Sequence, residues 1–569
     1  MRCARFLWSV LLFSVLLCAC SRGKKPPALE AKAAPPIVVE SPSSLLAEDV
    51  LWHASAKDVP SLASQLLGPM TQPILSSLGF SGDDLKRGGA IRAVVWKPTD
   101  PAFGNFPVAI LVPFPKDHNV LQELSRALPQ AKTESWDKGS ILLFGDTAAA
   151  EEKHKQEGFA KLLGKTDRFD VSWHVNLSML WKQFGERIRK SYDEGLKESL
   201  AKDLNVSEDR SELDRQTDEI VTQIAYSIRD AVLGTKAGTV GANLNAQGLD
   251  LFLITESEKG QLQKAQQTAP DLVQFLPAGD VRWQWNVDDW PRQLTETEQF
   301  LRPLLASAPK TQAQFNAWLS SLRGLGQTIV WAGSVSIEAQ GQPKFAWIVR
   351  VDDGKAAMAV IRRTSTYSTN PTPQELETFG SAITGRLQKN VRKIHGWPVD
   401  LHDLTVHSRP TKSKDGDPKS APGTLDTFSL KFEVVQFDRY LIVAVPTQTQ
   451  AIADSLLSGK GPQRFGAFQH LPLGGSVYVD VDVSSAQKLL AAARGEMATA
   501  ALPAEAEVLS FAYFFRGSIR EFAVHVPKPL VDFGLGLLLS AKDKRERPNS
   551  DNVFEDAYKS DEARADDSH

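Results

Sequence analysis

A six-residue pattern recurs along this chain. Asp49-Val50-Leu51-Trp52-His53-Ala54, Asp170-Val171-Ser172-Trp173-His174-Val175 and Asp280-Val281-Arg282-Trp283-Gln284-Trp285 align without a gap on Asp-Val-x-Trp. A looser fourth copy is Ser476-Val477-Tyr478-Val479-Asp480-Val481. Each copy alternates apolar and polar residues, the period of a strand with one buried face. Self-similarity at this scale means one structural unit used several times, and it bounds the fold more tightly than composition does.

The segments after each copy recur as well. An amphipathic helix comes first. In the third unit Asp288 and Asp289 can cap it, Pro291 suits its first turn, and Leu294, Leu301, Leu304 and Leu305 lie beyond. In the second unit it is predicted over 178–232 with a break near Asn205, where Ser207 can restart it, and Ile220, Ile224, Ile228 and Val232 return every fourth residue as one apolar face. Paired strands come next: 90–96 with 108–114, 238–244 with 249–255, 328–337 with 345–351, and 508–515 with 519–526. Asn245-Ala246-Gln247-Gly248 has the composition of a hairpin turn. The long interval before the fourth copy predicts a helix over 372–385, strands near 391–394, 399–406 and 428–435, and an edge strand over 437–445.

The chain therefore reads as α+β, with repeated strand–helix–β-hairpin units and antiparallel sheets each packed on a helix. The units fall at 45–165, 166–275, 276–370 and 471–542, with an insert of antiparallel strands at 371–470. Residues 543–569 form a charged tail too poor in apolar residues to fold alone. Over about residues 45–540 the pattern resembles the duplicated strand–helix–hairpin proteins of bacterial envelopes, families catalogued as domains of unknown function.

The start of the chain has the three parts of an export signal: Arg2 and Arg5, an apolar run from Phe6 to Leu17, and small Ala19 before Cys20. The run is too short to span a bilayer core, which needs about 20 residues. Leu17-Cys18-Ala19-Cys20 resembles the lipobox of bacterial lipoproteins. That resemblance implies a signal peptide over 1–19, removed on export, and a mature N-terminus at Cys20 carrying acyl chains such as palmitate. Two or three chains anchor stably where one does not. Ser21 then goes with the outer membrane in many Gram-negative bacteria, where aspartate would retain the protein at the inner one. The alternative is an ordinary cleaved signal with Cys20 incidental. Residues 20–44, with Pro26-Pro27, Pro35-Pro36 and Pro42, read as a tether.

Composition narrows the chemistry. With 42% hydrophobic and 23% charged residues the body is globular, and a net charge of −3 without a basic block argues against nucleic acid. The three cysteines are Cys3, Cys18 and Cys20, so the processed chain has no thiol for disulfides, nucleophilic catalysis or thiolate metal sites. His395, His402 and His407 are the one histidine cluster, but odd spacings place no two neighbours on one strand face. No Gly-x-Ser-x-Gly occurs, and Gly333-Ser334 and Gly475-Ser476 sit in or at the start of strands. Gly234, Gly238, Gly241, Gly324 and Gly326 suit helix ends better than a phosphate cradle. Of the pairs Asp83-Asp84, Asp288-Asp289 and Asp352-Asp353, the second reads as a cap and the third as a turn, and nothing supports a catalytic dyad. No catalytic residue, metal or cofactor is expected.

Trp52, Trp173, Trp283 and Trp285 stand on the repeated first strand. Either they plug a helix–sheet core, or they line an apolar cavity for a ligand such as lipid. The sequence thus predicts a non-enzymatic, lipid-anchored, periplasm-facing interaction or structural protein, held to the membrane by its anchor and partnered by envelope proteins of unspecified identity. The alternative is a carrier or sensor of a hydrophobic ligand.

Overall fold

The computed structural model describes residues 41–67, 89–98, 106–157, 168–204, 222–257, 271–298, 323–364, 381–408, 426–485 and 508–534, with short gaps inside several of these spans. Cys20 and the predicted signal, the helical stretch 372–380 and the tail 543–569 lie outside them.

Eighteen strands form in chain order. They are β1 (Val50–Ala56), β2 (Ile91–Trp96), β3 (Val108–Val112), β4 (Lys132–Trp136), β5 (Gly139–Phe144), β6 (Val171–Val175), β7 (Thr235–Asn245), β8 (Gly248–Ser257) and β9 (Val281–Val287). Then come β10 (Ile329–Ser336), β11 (Lys344–Arg350), β12 (Ser381–Ile394), β13 (Trp397–Ser408), β14 (Asp426–Phe437), β15 (Tyr440–Ala444), β16 (Val477–Asp482), β17 (Val508–Arg516) and β18 (Ile519–Pro527). Among the described residues the helices of eight residues or more are α1 (Val59–Leu67), α2 (Thr147–Glu157), α3 (Leu177–Leu204), α4 (Gly354–Thr364) and α5 (Thr449–Ser458), and the short α6 (Gly466–His470) comes after them.

The expected architecture is overturned here. The strands do not make several small sheets, each on its own helix. They hydrogen-bond into one 18-stranded antiparallel sheet, and among the described residues strand outweighs helix. Following the pairings from edge to edge, the order is β4-β5-β3-β2-β1-β6-β7-β8-β18-β17-β16-β9-β10-β11-β15-β14-β13-β12. The reason lies in edge chemistry. A three-stranded group leaves two rows of unpaired N–H and C=O groups, and these pair most readily with another group's edge.

The recurring hexapeptides supply the joints. β1 pairs with β6, with His53 opposite His174, and β9 pairs with β16, with Trp283 opposite Val479. The seam between the N-terminal and C-terminal halves is β8 against β18, from Glu256 opposite Ile519 to Gly248 opposite Pro527. Two other expectations are corrected. Residues 381–385, expected to end a helix, begin β12, and β15 is not an edge strand but lies between β11 and β14. The far edge is β12, which turns into β13 through His395 and Gly396, both with positive φ, a two-residue loop suited to a right-twisted hairpin.

The sheet's two faces differ. On the inner face, α5, α6 and the turn Val273–Phe275 bury a cluster including Phe252, Ile254, Ala332, Ile348, Ile442 and Val435. On the outer face, α4 packs Ala357, Met358 and Ile361 against Trp347, Phe432 and Leu441. The start of α3 lays Met179 and Leu180 beside Trp52, Val95 and Val108.

Candidate binding face

The inner face of the central strands mixes apolar core residues such as Phe252, Ile254 and Phe514 with an unusual number of buried polar ones. His53, Ser55, Ser172, His174, Thr239, Gln284, Asp480, Ser510 and Glu521 are all buried there. Such groups are tolerated because most are bonded. His174 Nδ1 lies 2.8 Å from Thr239 Oγ1. Arg282 donates to Asp480 at 3.1 Å, and Asp480 also accepts from Ser510 Oγ and from the backbone N–H groups of Gly466 and Ala467 at the start of α6. Gln284 donates to Asn286, which donates to the Gly475 carbonyl. Arg168 donates to Glu521 at 2.8 Å, and His525 meets Asp250 at 2.6 Å. Burial pushes the His53 and His174 imidazoles down to about 4; for His53 the neighbouring charges of His174 and Arg92 add to it. Burial pushes the Asp271 carboxyl up to about 6, against backbone hydrogen bonds from Gln274 and Val273 that lower it.

Because side chains alternate along a strand, the apolar positions of β6, β7, β8 and β18 are sent outward. Cross-strand register lines them up. One row runs Trp173–Val240–Leu253–Phe522–Tyr513–Val477–Trp285–Trp331, each opposite the next. A second, two residues along, runs Val171–Ala242–Leu251–Val524–Phe511–Val479–Trp283. At the β9 end the rows go under cover: Trp285 lies 6.2 Å from Trp331, and the Trp283 ring lies against Gly333. At the other end they are bare. Val171, Trp173, Val240, Leu251, Leu253 and Phe522 are 38–48% exposed, Trp173 the most.

All four sequence-predicted tryptophans therefore share the outer face. Trp52 is half-buried against α3, Trp283 and Trp285 are half-buried beside the α4 cluster, and Trp173 is open to solvent. They stand along a line, not around a centre: Trp173 and Trp285 are six strand steps apart, about 29 Å. Cys20 lies outside the described residues. Of the histidines, His402 is fully buried and stacked on Phe432, His407 lies on the opposite face of β13 beside Thr384, and His395 is in the turn. A cleft of about 310 Å³ lies elsewhere, where Met358 and Arg362 of α4 meet Trp397 and Gln436.

Sequence reasoning missed Val171, Val240, Leu251, Leu253 and Phe522. It assumed that apolar alternation marks the buried side of a strand. The signal that could have corrected it is on the opposite positions, where His174, Thr239, Glu521 and His525 have partners within the sheet or beside it. Chemically, the outer face of β6-β7-β8-β18 offers broad, flat apolar contact. No family model, curated protein or solved structure matches this chain.

Proposed function

We propose that this is a non-enzymatic interaction or structural protein of the bacterial envelope, anchored by acyl chains on Cys20 and facing the periplasm, which works through the outer face of its sheet. The observation that carries this reading is the bare apolar row centred on Trp173 and Leu253. An exposed patch of this kind, roughly 500 Å² from six half-exposed large side chains, is of the size that marks interaction sites on soluble domains. The lipobox supports the anchor. The buried titratable groups support a structural rather than catalytic role for that chemistry, since Asp480 caps α6 and holds Arg282 while Asp400 accepts two bonds from Arg362.

Two measurements test it. Cys20→Ala releases the protein from membranes through a carbonate wash; retention would refute the anchor. A photoreactive residue at Trp173 gives adducts in intact cells, and one at exposed Glu198 on α3 does not. Equal labelling at the two positions would refute the face.

A further inference from the structure

The surroundings of the bare face argue for one occupant. We propose that the outer face of β6-β7-β8-β18 is a bilayer-contact face, which lays the sheet against the same membrane that takes up the acyl chains; this rests on the anchor reading above.

The first support is where the chain enters the fold. Ser41 is the first described residue, and its hydroxyl donates to Glu256 near the end of β8; the Ser43 N–H donates to the same carboxylate at 3.0 Å. Lys236 of β7 donates to the Ser43 hydroxyl at 3.1 Å. Glu256 is three residues from Leu253, about 10 Å along the strand. The chain thus meets the sheet at the end of the two strands that carry the patch, with Glu256 on the inner face and Leu253 on the outer. Between Cys20 and Ser41 lie 20 residues. A stretch of that length reaches at most about 70 Å when fully extended. An anchor at Cys20 holds the patch within that reach of the lipid surface.

The second support is composition. Val171, Val240, Leu251 and Leu253 are aliphatic, and Trp173 and Phe522 are aromatic, the mixture that settles at a membrane interface. The third is charge. Arg520, outward and exposed, lies two residues from Phe522 and opposite Thr255, at the strand end where Lys236 and the tether lie. Its guanidinium sits 5.8 Å from the centre of the outward Phe515 ring. Cations at the rim of an apolar face pair with anionic headgroups. The acyl chains fix the protein to the membrane, and the apolar face sets which side of the sheet lies against it.

The absence of other thiols in the processed chain makes the test clean. Leu253→Cys and, as a control, Glu198→Cys are prepared in the natively processed full-length protein and labelled with bimane. Each is placed with vesicles of phosphatidylethanolamine and phosphatidylglycerol that carry brominated acyl chains. The label at 253 is expected to be quenched roughly threefold more than at 198, as for a side chain sunk about 5–10 Å into the interface. Equal quenching at the two positions overturns the proposal. So does a label at 253 that is shielded from aqueous iodide yet untouched by brominated lipid, which would place a second copy or another protein on the face. Intact mass of the same sample reports acylation separately. An unacylated chain, relabelled after its remaining native cysteines are replaced by Ser so that 253 carries the one dye, and still quenched there would refute the anchor and keep the face; an acylated chain unquenched there would do the reverse. Circular dichroism of the two labelled proteins establishes that both are folded.

Discussion

His53 and His174 face each other directly across the β1–β6 ladder, their rings parallel to within 14° and their centres 5.9 Å apart. They occupy equivalent positions in two copies of the recurring hexapeptide, so the joint is made by a residue type meeting itself. Both are buried, and both stay neutral until well below their ordinary range, at about 4.

That arrangement sets a pH dependence. Between about pH 6.5 and 4 the unfolded chain binds protons at these histidines and the native one does not, so their contribution to stability falls as pH falls through this window. His53→Leu, similar in size, removes one such proton. Its stability curve is expected to be flatter than the parent's by about 1.4 kcal/mol per pH unit across the window. Asp271 works in the opposite sense: its raised folded value makes the native state hold a proton up to about pH 6, and Asp271→Asn steepens the curve. Urea midpoints at pH 7, 6, 5 and 4.5 decide both, and parallel curves would refute the assignment.

Gly333 is required by Trp283. A Cβ at this position would lie 2.1 Å from the indole Cζ2. Gly333→Ala is expected to cost about 1–3 kcal/mol through displacement of the ring. Gly396, with φ +83° and nothing within 4 Å of an added Cβ, is the contrast. Gly396→Ala carries only the left-handed backbone cost, about 1–2 kcal/mol. Denaturant midpoints measure both costs, and Trp283→Phe, which frees the space, should rescue Gly333→Ala and leave Gly396→Ala unchanged.

Asp480 is a hub whose loss is not local. Asp480→Ala removes the carboxylate from Arg282, from Ser510 and from the first amides of α6. Breaking a buried pair by deleting one partner costs about 3–5 kcal/mol. Replacing both partners, Arg282→Leu with Asp480→Leu, should recover the part of that loss due to the unpaired charge, while Ser510 and the α6 amides stay without their acceptor. A double-mutant cycle on denaturant midpoints measures the coupling, and strict additivity would refute it.

Arg362 on α4 fastens the β12–β13 hairpin. It donates twice to fully buried Asp400, which also accepts the Asn390 N–H in the bulge of β12, where Asn390 has φ 55°. Arg362→Met is expected to destabilise this hairpin by at least about 2 kcal/mol. Hydrogen exchange should quicken at residues 386–394 and stay unchanged at the β8–β18 seam.

Local structure was the legible part of the sequence. Alternation placed β7, β8, β17 and β18 close to their observed positions, and Asn245 serves the expected turn, its side chain accepting from the N–H groups of Gln247 and Gly248. The recurring hexapeptide was visible, but its partner was not, since periodicity says that a strand has a free edge and not whose edge will meet it. One sheet instead of several results from that missing information. The sidedness of β6 was also misread. Val171 and Trp173 look like core, and they point outward because His174 on the other side is held by Thr239. In the insert, β12 extends to Ser381 because pairing with Ser408 on β13 overrides local helical preference.

The β8–β18 seam makes the last of the described strands the keystone of the sheet's middle. A polypeptide cut before Val477 loses β16, β17 and β18 together, and the surviving strands then separate into two groups with bare rims at β8 and β9. Such a fragment has no half-finished resting state. It must be cleared by proteases or clump through those rims, so the molecule becomes safe only once its final hairpin is delivered.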